Sequence, residues 1–538
     1  MSVRSTLARN TAFNAAGRLW EAVVGLVLVP YIWSFVGESG WGLWALVSFF
    51  TGYVALFDFG VSSGFAKYVA EHAARKEHDA ISSVVSTGFF FYLGLGALLV
   101  AVGWPCVNGL IRLTVEVMSR LYPDRADAIR TAPSVSTIRF LFRWGLVLFA
   151  VSNCVAPFTA IQTGLQRMGV TNLLSFAASL VKIVTTVLFL KLGMGVRGLM
   201  YANAIVLAAF GLSSCIAAFV LAPGLRVSPW RMRRRIFGKL FGFGWRTQVS
   251  KLSNLVMFQT DKAVVGLAFA NWGLIALYDI GVMAANKMRQ IPVLLLGALI
   301  PAASDLDARG EHDRLRRLYL LSSKYVAAVT VPLAAFVMGA AGPLMRTWMG
   351  TERDYAVATW VLRIMAFGYV ANIVPGAGVS VVLGKGRADL QMKAGLISMV
   401  SNIALTIVLY FAIGFWGIPI ATAASMFISW LWFTRAVAPV IGVGAVTFFR
   451  ACALWPALAV LPGFVACACT DVFGAGIGGR VPNAGVVLFG GVVLAGSYLL
   501  LIRLTPFLDA FDVAFLEDTL RLKHIPGFRT WTRRMRGV

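Results

Sequence analysis

Apolar stretches of roughly 20 residues follow one another along nearly the whole of this 538-residue chain. A stretch of about 20 helical residues crosses the hydrocarbon core of a bilayer. In lipid every backbone N–H and C=O needs a partner within the protein, so only helices and closed barrels cross. These runs are far longer than the strands of about ten residues that build a barrel. The charged fraction, 13%, is half of the roughly 25% found in soluble domains. The sequence therefore predicts an all-α polytopic membrane protein.

The apolar pattern predicts about 14 spans, at residues 11–36, 41–69, 82–112, 138–164, 171–191, 198–222, 240–268, 273–303, 318–341, 357–383, 394–413, 417–437, 451–472 and 484–503. The first apolar stretch, Leu19–Val36, is too long for the core of a signal peptide and is expected to remain as a helix. Lys and Arg gather in every second connection, most densely at Arg231, Arg233, Arg234 and Arg235. The net charge of +25 is thus mostly a positive-inside pattern and implies no nucleic-acid partner. That pattern places both termini in the cytoplasm. The six cysteines have no metal spacing and read as small core residues.

The chain also repeats itself. Trp41-Gly42-Leu43-Trp44-Ala45-Leu46 returns 231 positions later as Trp272-Gly273-Leu274-Ile275-Ala276-Leu277. Arg143, Asn153 and Pro157 are answered by Arg363, Asn372 and Pro375, at offsets of 220, 219 and 218. Gly198-Leu199-Met200-Tyr201-Ala202 is answered by Gly417-Ile418-Pro419-Ile420-Ala421, at an offset of 219. Three landmarks in one order predict two six-helix lobes, residues 1–225 and 240–440, joined by a basic cytoplasmic linker at 226–239. Each repeat starts on the cytoplasmic side and has an even number of spans, so the two are parallel and related by a pseudo-twofold along the membrane normal. Two extra helices follow at 441–503, then a basic tail at 504–538. The tail reads either as an amphipathic helix on anionic membrane lipids, through Phe507, Leu508, Phe511, Phe515 and Leu516, or as a solvated end.

Ionisable groups at membrane depth cost at least about 2.5–3.5 kcal/mol each, so each needs a partner or a wet cavity. Asn10, Asn14, Arg18 and Glu21 share one face of the first span, and Arg246, Ser250 and Asn254 share one face of the seventh. Both stripes are expected either to line a cavity or to pair locally. Arg143 and Arg363 occupy equivalent places, where their guanidiniums either clasp an anion, for which the planar fork is suited, or snorkel to the outer interface. Lys182 and Lys287 are further cationic candidates. Asp58 falls opposite Arg289 in the repeat register, which predicts a gating pair. Asp261 and Lys262 are expected to neutralise local partners, and Glu21, Asp58, Asp261 and Arg289 are the candidates for gating or ion coupling. No ATP-hydrolysing motif is present: Gly378…Gly384-Lys385-Gly386 has one residue too many for a phosphate loop and Gly where a hydroxyl belongs. Transport would then be secondary. No loop is large enough for a catalytic domain, so no enzyme is predicted.

Gly40-Trp-Gly-Leu-Trp-Ala-Leu46, Leu56-Phe-Asp58-Phe-Gly60, Gln259-Thr-Asp261-Lys262, Arg314-Leu-Arg-Arg317 and Pro343-Leu-Met-Arg-Thr-Trp348-Met-Gly350 together resemble the bacterial polysaccharide flippases (O-antigen and exopolysaccharide, Wzx-type) over residues 6–440. These belong to the multidrug/oligosaccharidyl-lipid/polysaccharide exporter superfamily. The resemblance implies a two-lobed exporter in the bacterial inner membrane. Its cargo would be an undecaprenyl-pyrophosphate-linked oligosaccharide, moved by alternating access for surface polysaccharide biosynthesis. It implies no cofactor, a drive from an H+ or Na+ gradient or the membrane potential, and polysaccharide polymerase and export machinery as partners. The nearest alternative is a drug or organic-cation exporter of the same superfamily, which requires carboxylates in its cavity. A glycosyltransferase or ligase and an uncoupled scrambler are more distant readings.

Overall fold

The computed structural model describes residues 3–121, 135–269, 271–293, 296, 299–474, 476–508 and 512. Among these residues it is helical throughout, as the apolar pattern predicts. The first helices are α1 (Val3–Val54), α2 (Ser62–Ala74), α3 (His78–Leu121), α4 (Val135–Gly164), α5 (Met168–Lys191) and α6 (Gly195–Leu221). Next come α7 (Arg234–Phe269), α8 (Trp272–Val293), α9 (Leu299–Ala308), α10 (His312–Gly339), α11 (Ala341–Met349), α12 (Ala356–Ile373) and α13 (Gly376–Gly384). The last are α14 (Ala388–Ile413), α15 (Gly417–Ile441), α16 (Ala445–Phe448), α17 (Trp455–Phe473) and α18 (Arg480–Leu504). Ten helical stretches among the described residues are long and apolar enough to cross a membrane. Two of them, Trp20–Asp58 and Ala388–Ile441, hold two helical arms each, bent at Gly37 (φ 66°) and Gly414 (φ 63°).

Two predicted spans are not continuous helices. The span at 41–69 ends its α-helix at Val54, tightens into a 3-10 turn over Ala55–Asp58 and restarts as α2. Phe59 (φ 50°) and Gly60 (φ 75°) take left-handed conformations there, which end a helix. In the span at 273–303, residues 294–295 and 297–298, between α8 and α9, lie outside the described residues, and the span at 357–383 breaks at Val374-Pro375. Proline lacks the N–H that would continue the ladder. At the other extreme, α3 runs to Leu121, beyond the predicted end at 112.

Packing divides the chain into two compact units, Met1–Asp279 and Ile280–Val538. The boundary lies inside α8, some way past the basic connection at 226–239 that the repeat marks as the linker. Within the first unit, the second arm of α1 and the helix α7 run antiparallel along a seam. A β-carbon added to Gly60 would stand 2.1 Å from the Gly244 carbonyl oxygen, and one added to Gly244 would stand 2.3 Å from that of Gly60. At the other end a β-carbon on Gly42 would stand 2.1 Å from the Trp272 carbonyl oxygen. Between them Gln248 Nε2 donates to the Leu56 carbonyl at 2.6 Å, and the Tyr53 and Thr260 hydroxyls share a hydrogen bond of 2.5 Å. In lipid, helices associate by close packing and polar links rather than by apolar burial, and small residues allow it. The doubled Trp-Gly-Leu is therefore also a contact, because the glycine of the first copy receives the tryptophan backbone of the second.

In the second unit α14 lies along α15, and α10 packs on α12 and α17. The repeated Gly198 and Gly417 do the same work in each unit. Each sits where a helix turns back on its predecessor: a β-carbon would meet Phe189 Cβ at 2.9 Å in the first case and the Leu409 carbonyl at 2.3 Å in the second. The appended α17 and α18 pack together and against α10, around buried Cys467, Leu494, Tyr498 and Ile502. The start of the tail joins that core. Phe507 is buried there, and Asp512 accepts hydrogen bonds from Tyr325 (2.7 Å) and Lys324. Phe507 thus packs inward instead of facing headgroups. Phe511, Phe515 and Leu516 lie outside the described residues.

Candidate functional site

The break in the span at 41–69 builds the first charged site. Asp58 closes the 3-10 turn immediately before the N-terminus of α2, where the helix dipole and free N–H groups favour an anion. Its Oδ1 accepts the Ser62 N–H (3.2 Å) and the Tyr92 hydroxyl, and its Oδ2 accepts the Ser62 hydroxyl at 2.7 Å. Across the seam, Lys251 Nζ donates to the same Oδ2 at 3.2 Å. Asp58 is buried, whereas the Lys251 side chain is 42% exposed. The ammonium therefore keeps an open side. The repeat register pairs Asp58 with Arg289; the cation on Asp58 in the structure is Lys251, the residue next to Ser250 of the predicted stripe. Arg289 lies on α8 in the second unit, 5.8 Å from the centroid of the Tyr369 ring, and the Tyr369 hydroxyl donates to Asn286.

A second, fully buried site stands higher in the seam. Lys262 Nζ pairs with Asp279 Oδ1 at 2.6 Å, and Trp41 Nε1 donates to Asp279 Oδ2 at 3.0 Å. Asp261 accepts the Tyr278 hydroxyl at 2.5 Å. Asp261 and Lys262 point to different neighbours, as adjacent helical residues do, and Lys262 finds its carboxylate on α8. The indole that opens the repeated motif thus serves to orient Asp279.

Arg143 and Arg363 play matching parts in their own units. Arg143 Nε donates to the Trp104 carbonyl at 3.3 Å, with its guanidinium 4.9 Å from the centroid of the Trp104 ring. Arg363 Nε donates to the Met338 carbonyl at 3.2 Å and stacks at 4.6 Å over Trp360. They differ in one respect: Arg363 also pairs with Asp471 of α17. Arg346 approaches the other oxygen of Asp471 at 3.4 Å and donates to Asn483 of α18 at 2.8 Å. Gly342 makes room, since a β-carbon there would stand 2.0 Å from Asp471. The sequence reading passed over Asp471, Arg346 and Tyr92; a lone carboxylate in the apolar 455–473 segment was the available signal for the first.

Lys182 and Glu21 are brought within electrostatic reach where α5 packs on α1, beside a hydrogen bond from Trp20 to Ser179. Asn254 is exposed on α7, close to Lys251, and Lys287 is half-buried on α8. The side chains of Asn14, Arg18 and Arg246 lie outside the described residues.

Many long apolar helices, with charged groups gathered where one of them is interrupted at 55–61, have the character of a polytopic membrane transporter. The chain belongs to the family described as "Polysaccharide biosynthesis protein", which matches residues 7–307. The description "Lipid II flippase MurJ" matches residues 285–477. A putative O-antigen transporter of Shigella flexneri is 19% identical over 421 residues, covering 77% of this chain and 92% of its own. Among solved structures, lipid II flippase MurJ in an inward closed conformation superposes with a TM-score of 0.60 at 14% identity, over 91% of this chain and 98% of its own. An inward-facing multidrug resistance MATE transporter of the MOP superfamily gives 0.61 at 15%, over 78% and 98%. The fold is that of this exporter superfamily, and the resemblance to Wzx-type flippases stands.

Proposed function

We propose that this protein is a flippase for a lipid-linked oligosaccharide. In this reading it carries an undecaprenyl-pyrophosphate-linked glycan from the cytoplasmic to the periplasmic leaflet of the bacterial inner membrane, by alternating access through a cationic cavity. The observation that carries the proposal is the condition of the carboxylates at membrane depth. Asp58 is held by Lys251, Asp279 by Lys262, and Asp471 by Arg346 and Arg363. Glu21 has Lys182 in reach, and Asp261 is bonded by Tyr278. An organic-cation exporter needs carboxylates to hold its cargo, and these are engaged by the protein's own cations and hydroxyls. Family membership and the O-antigen transporter relative support the same conclusion.

The residues assigned to the cargo's phosphates and sugars are Asn14, Arg18, Arg143, Lys182, Arg246, Asn254, Lys287 and Arg363. Glu21 and Asp261 are assigned to the coupling ion, H+ or Na+. Asp58 is assigned to the gate, with Lys251 as its partner and Arg289 as a second cation to be tested. Positive-inside charge supports cytoplasmic termini. Binding to the purified protein, read by tryptophan quenching, tests the choice of cargo. Undecaprenyl pyrophosphate is expected to quench and to be displaced by inorganic pyrophosphate. Quenching by an organic cation with none by undecaprenyl pyrophosphate would favour the drug-exporter reading instead.

A further inference from the structure

The first turns of α3 read His78-Asp-Ala-Ile-Ser82-Ser-Val-Val-Ser86-Thr87, and then Gly88-Phe89-Phe90-Phe91-Tyr92. The helix changes from hydroxyl-rich to aromatic at Thr87. Asp79, Ser82, Ser86 and Thr87 fall on one face, and that face grips the basic connection. Arg226 N–H donates to Ser82 Oγ and Arg233 N–H to Thr87 Oγ1, both at 3.2 Å. Ser86 Oγ accepts the Ser228 N–H at 3.2 Å and donates to the Arg226 carbonyl at 3.3 Å. The Arg231 guanidinium pairs with Asp79 at 2.7 Å. The connection is therefore laid along α3, and it holds Arg233 level with the polar-to-aromatic boundary.

Arg233, Arg234 and Arg235 are exposed at that level, and Trp230, just before them, is 94% exposed. Beneath them Phe91 and Phe237 have ring centroids 4.9 Å apart. Thr87, Phe91, Met232, Arg233, Arg234 and Phe237 line a mostly apolar cleft of about 290 Å³, its lining combining two arginines with two phenylalanines. A phospholipid offers the same sequence of chemistry along its length, an anionic phosphate followed by acyl carbon.

We propose that this cleft binds an anionic phospholipid of the surrounding bilayer. Its phosphate accepts hydrogen bonds from the Arg233 and Arg234 guanidiniums, whose planar forks suit it. One acyl chain lies along Phe91 and Phe237, and Trp230 sits among the headgroups, where tryptophan partitions. The ligand is a bilayer constituent, so this site is separate from the cargo site proposed above.

Native mass spectrometry of the full chain, with phosphatidylglycerol or phosphatidylcholine added, tests it. Phosphatidylglycerol is expected to be retained about thirtyfold better, the scale set by two arginines at an anionic headgroup. Arg233→Gln with Arg234→Gln should bring retention down to the phosphatidylcholine level. Arg316→Gln, an exposed arginine of another connection, should leave it unchanged. If the double variant folds poorly, Arg233→Lys with Arg234→Lys keeps the charge and should keep part of the preference. Equal retention of the two lipids by the natural protein would overturn the proposal. So would full retention by the folded double variant, or displacement of phosphatidylglycerol by millimolar inorganic phosphate.

Discussion

Asp58 shows how one residue's place in a broken helix decides its role. Left-handed Phe59 and Gly60 free the backbone at Ser62, the carboxylate caps that N-terminus, and Lys251 reaches it from the opposite helix. Reversing Asp58 to Lys should lower flipping by at least about tenfold, since removing one partner of a buried pair leaves the other uncompensated. Adding Lys251→Asp should recover most of the loss, and recovery on adding Arg289→Asp instead would assign the gate to the cation that the repeat register pairs with Asp58. A flipping assay on the four proteins decides between the two partners. The register of the repeat could not supply this pairing. It equates positions in two halves, while contact across an antiparallel seam joins positions that run in opposite directions.

The helices carry two further expectations. Gly244 touches backbone, which cannot move aside, while Gly242, on the same helix, has open space around it. Gly244→Ala should therefore destabilise by about 1–3 kcal/mol, the usual cost of overpacking. Gly242→Ala should stabilise by up to about 1 kcal/mol through helix propensity. Thermal unfolding in detergent measures both. In the appended pair, Asp471→Ala leaves Arg346 and Arg363 facing one another and should cost about 3 kcal/mol, the low end for a broken buried pair because both arginines are partly exposed. Long apolar helices were legible in the sequence because lipid imposes one rule on every span. The break at 59–60 was not, since the apolar pattern runs straight through it and only the left-handed conformations of Phe59 and Gly60 end the helix.

At the scale of the molecule, the repeat is read from short landmarks. Its landmarks turn out to be working contacts: Gly42 on Trp272, Trp41 on Asp279, and the paired arginines on helix carbonyls. The packing boundary was not legible. The glycine seam draws α7 into the first unit, so the compact units meet at Asp279 and the strongly basic connection lies inside one of them, strapped to α3. In the proposed function, an anionic glycolipid is moved by a protein whose carboxylates are already engaged. Flipping of fluorescent undecaprenyl-pyrophosphate-linked oligosaccharide in proteoliposomes tests it most directly. Transfer is expected to run well above that in protein-free liposomes, with Arg143→Ala and Arg363→Ala each slowing it. Transfer no faster than in protein-free liposomes, together with uptake of an organic cation by the same vesicles, would contradict it.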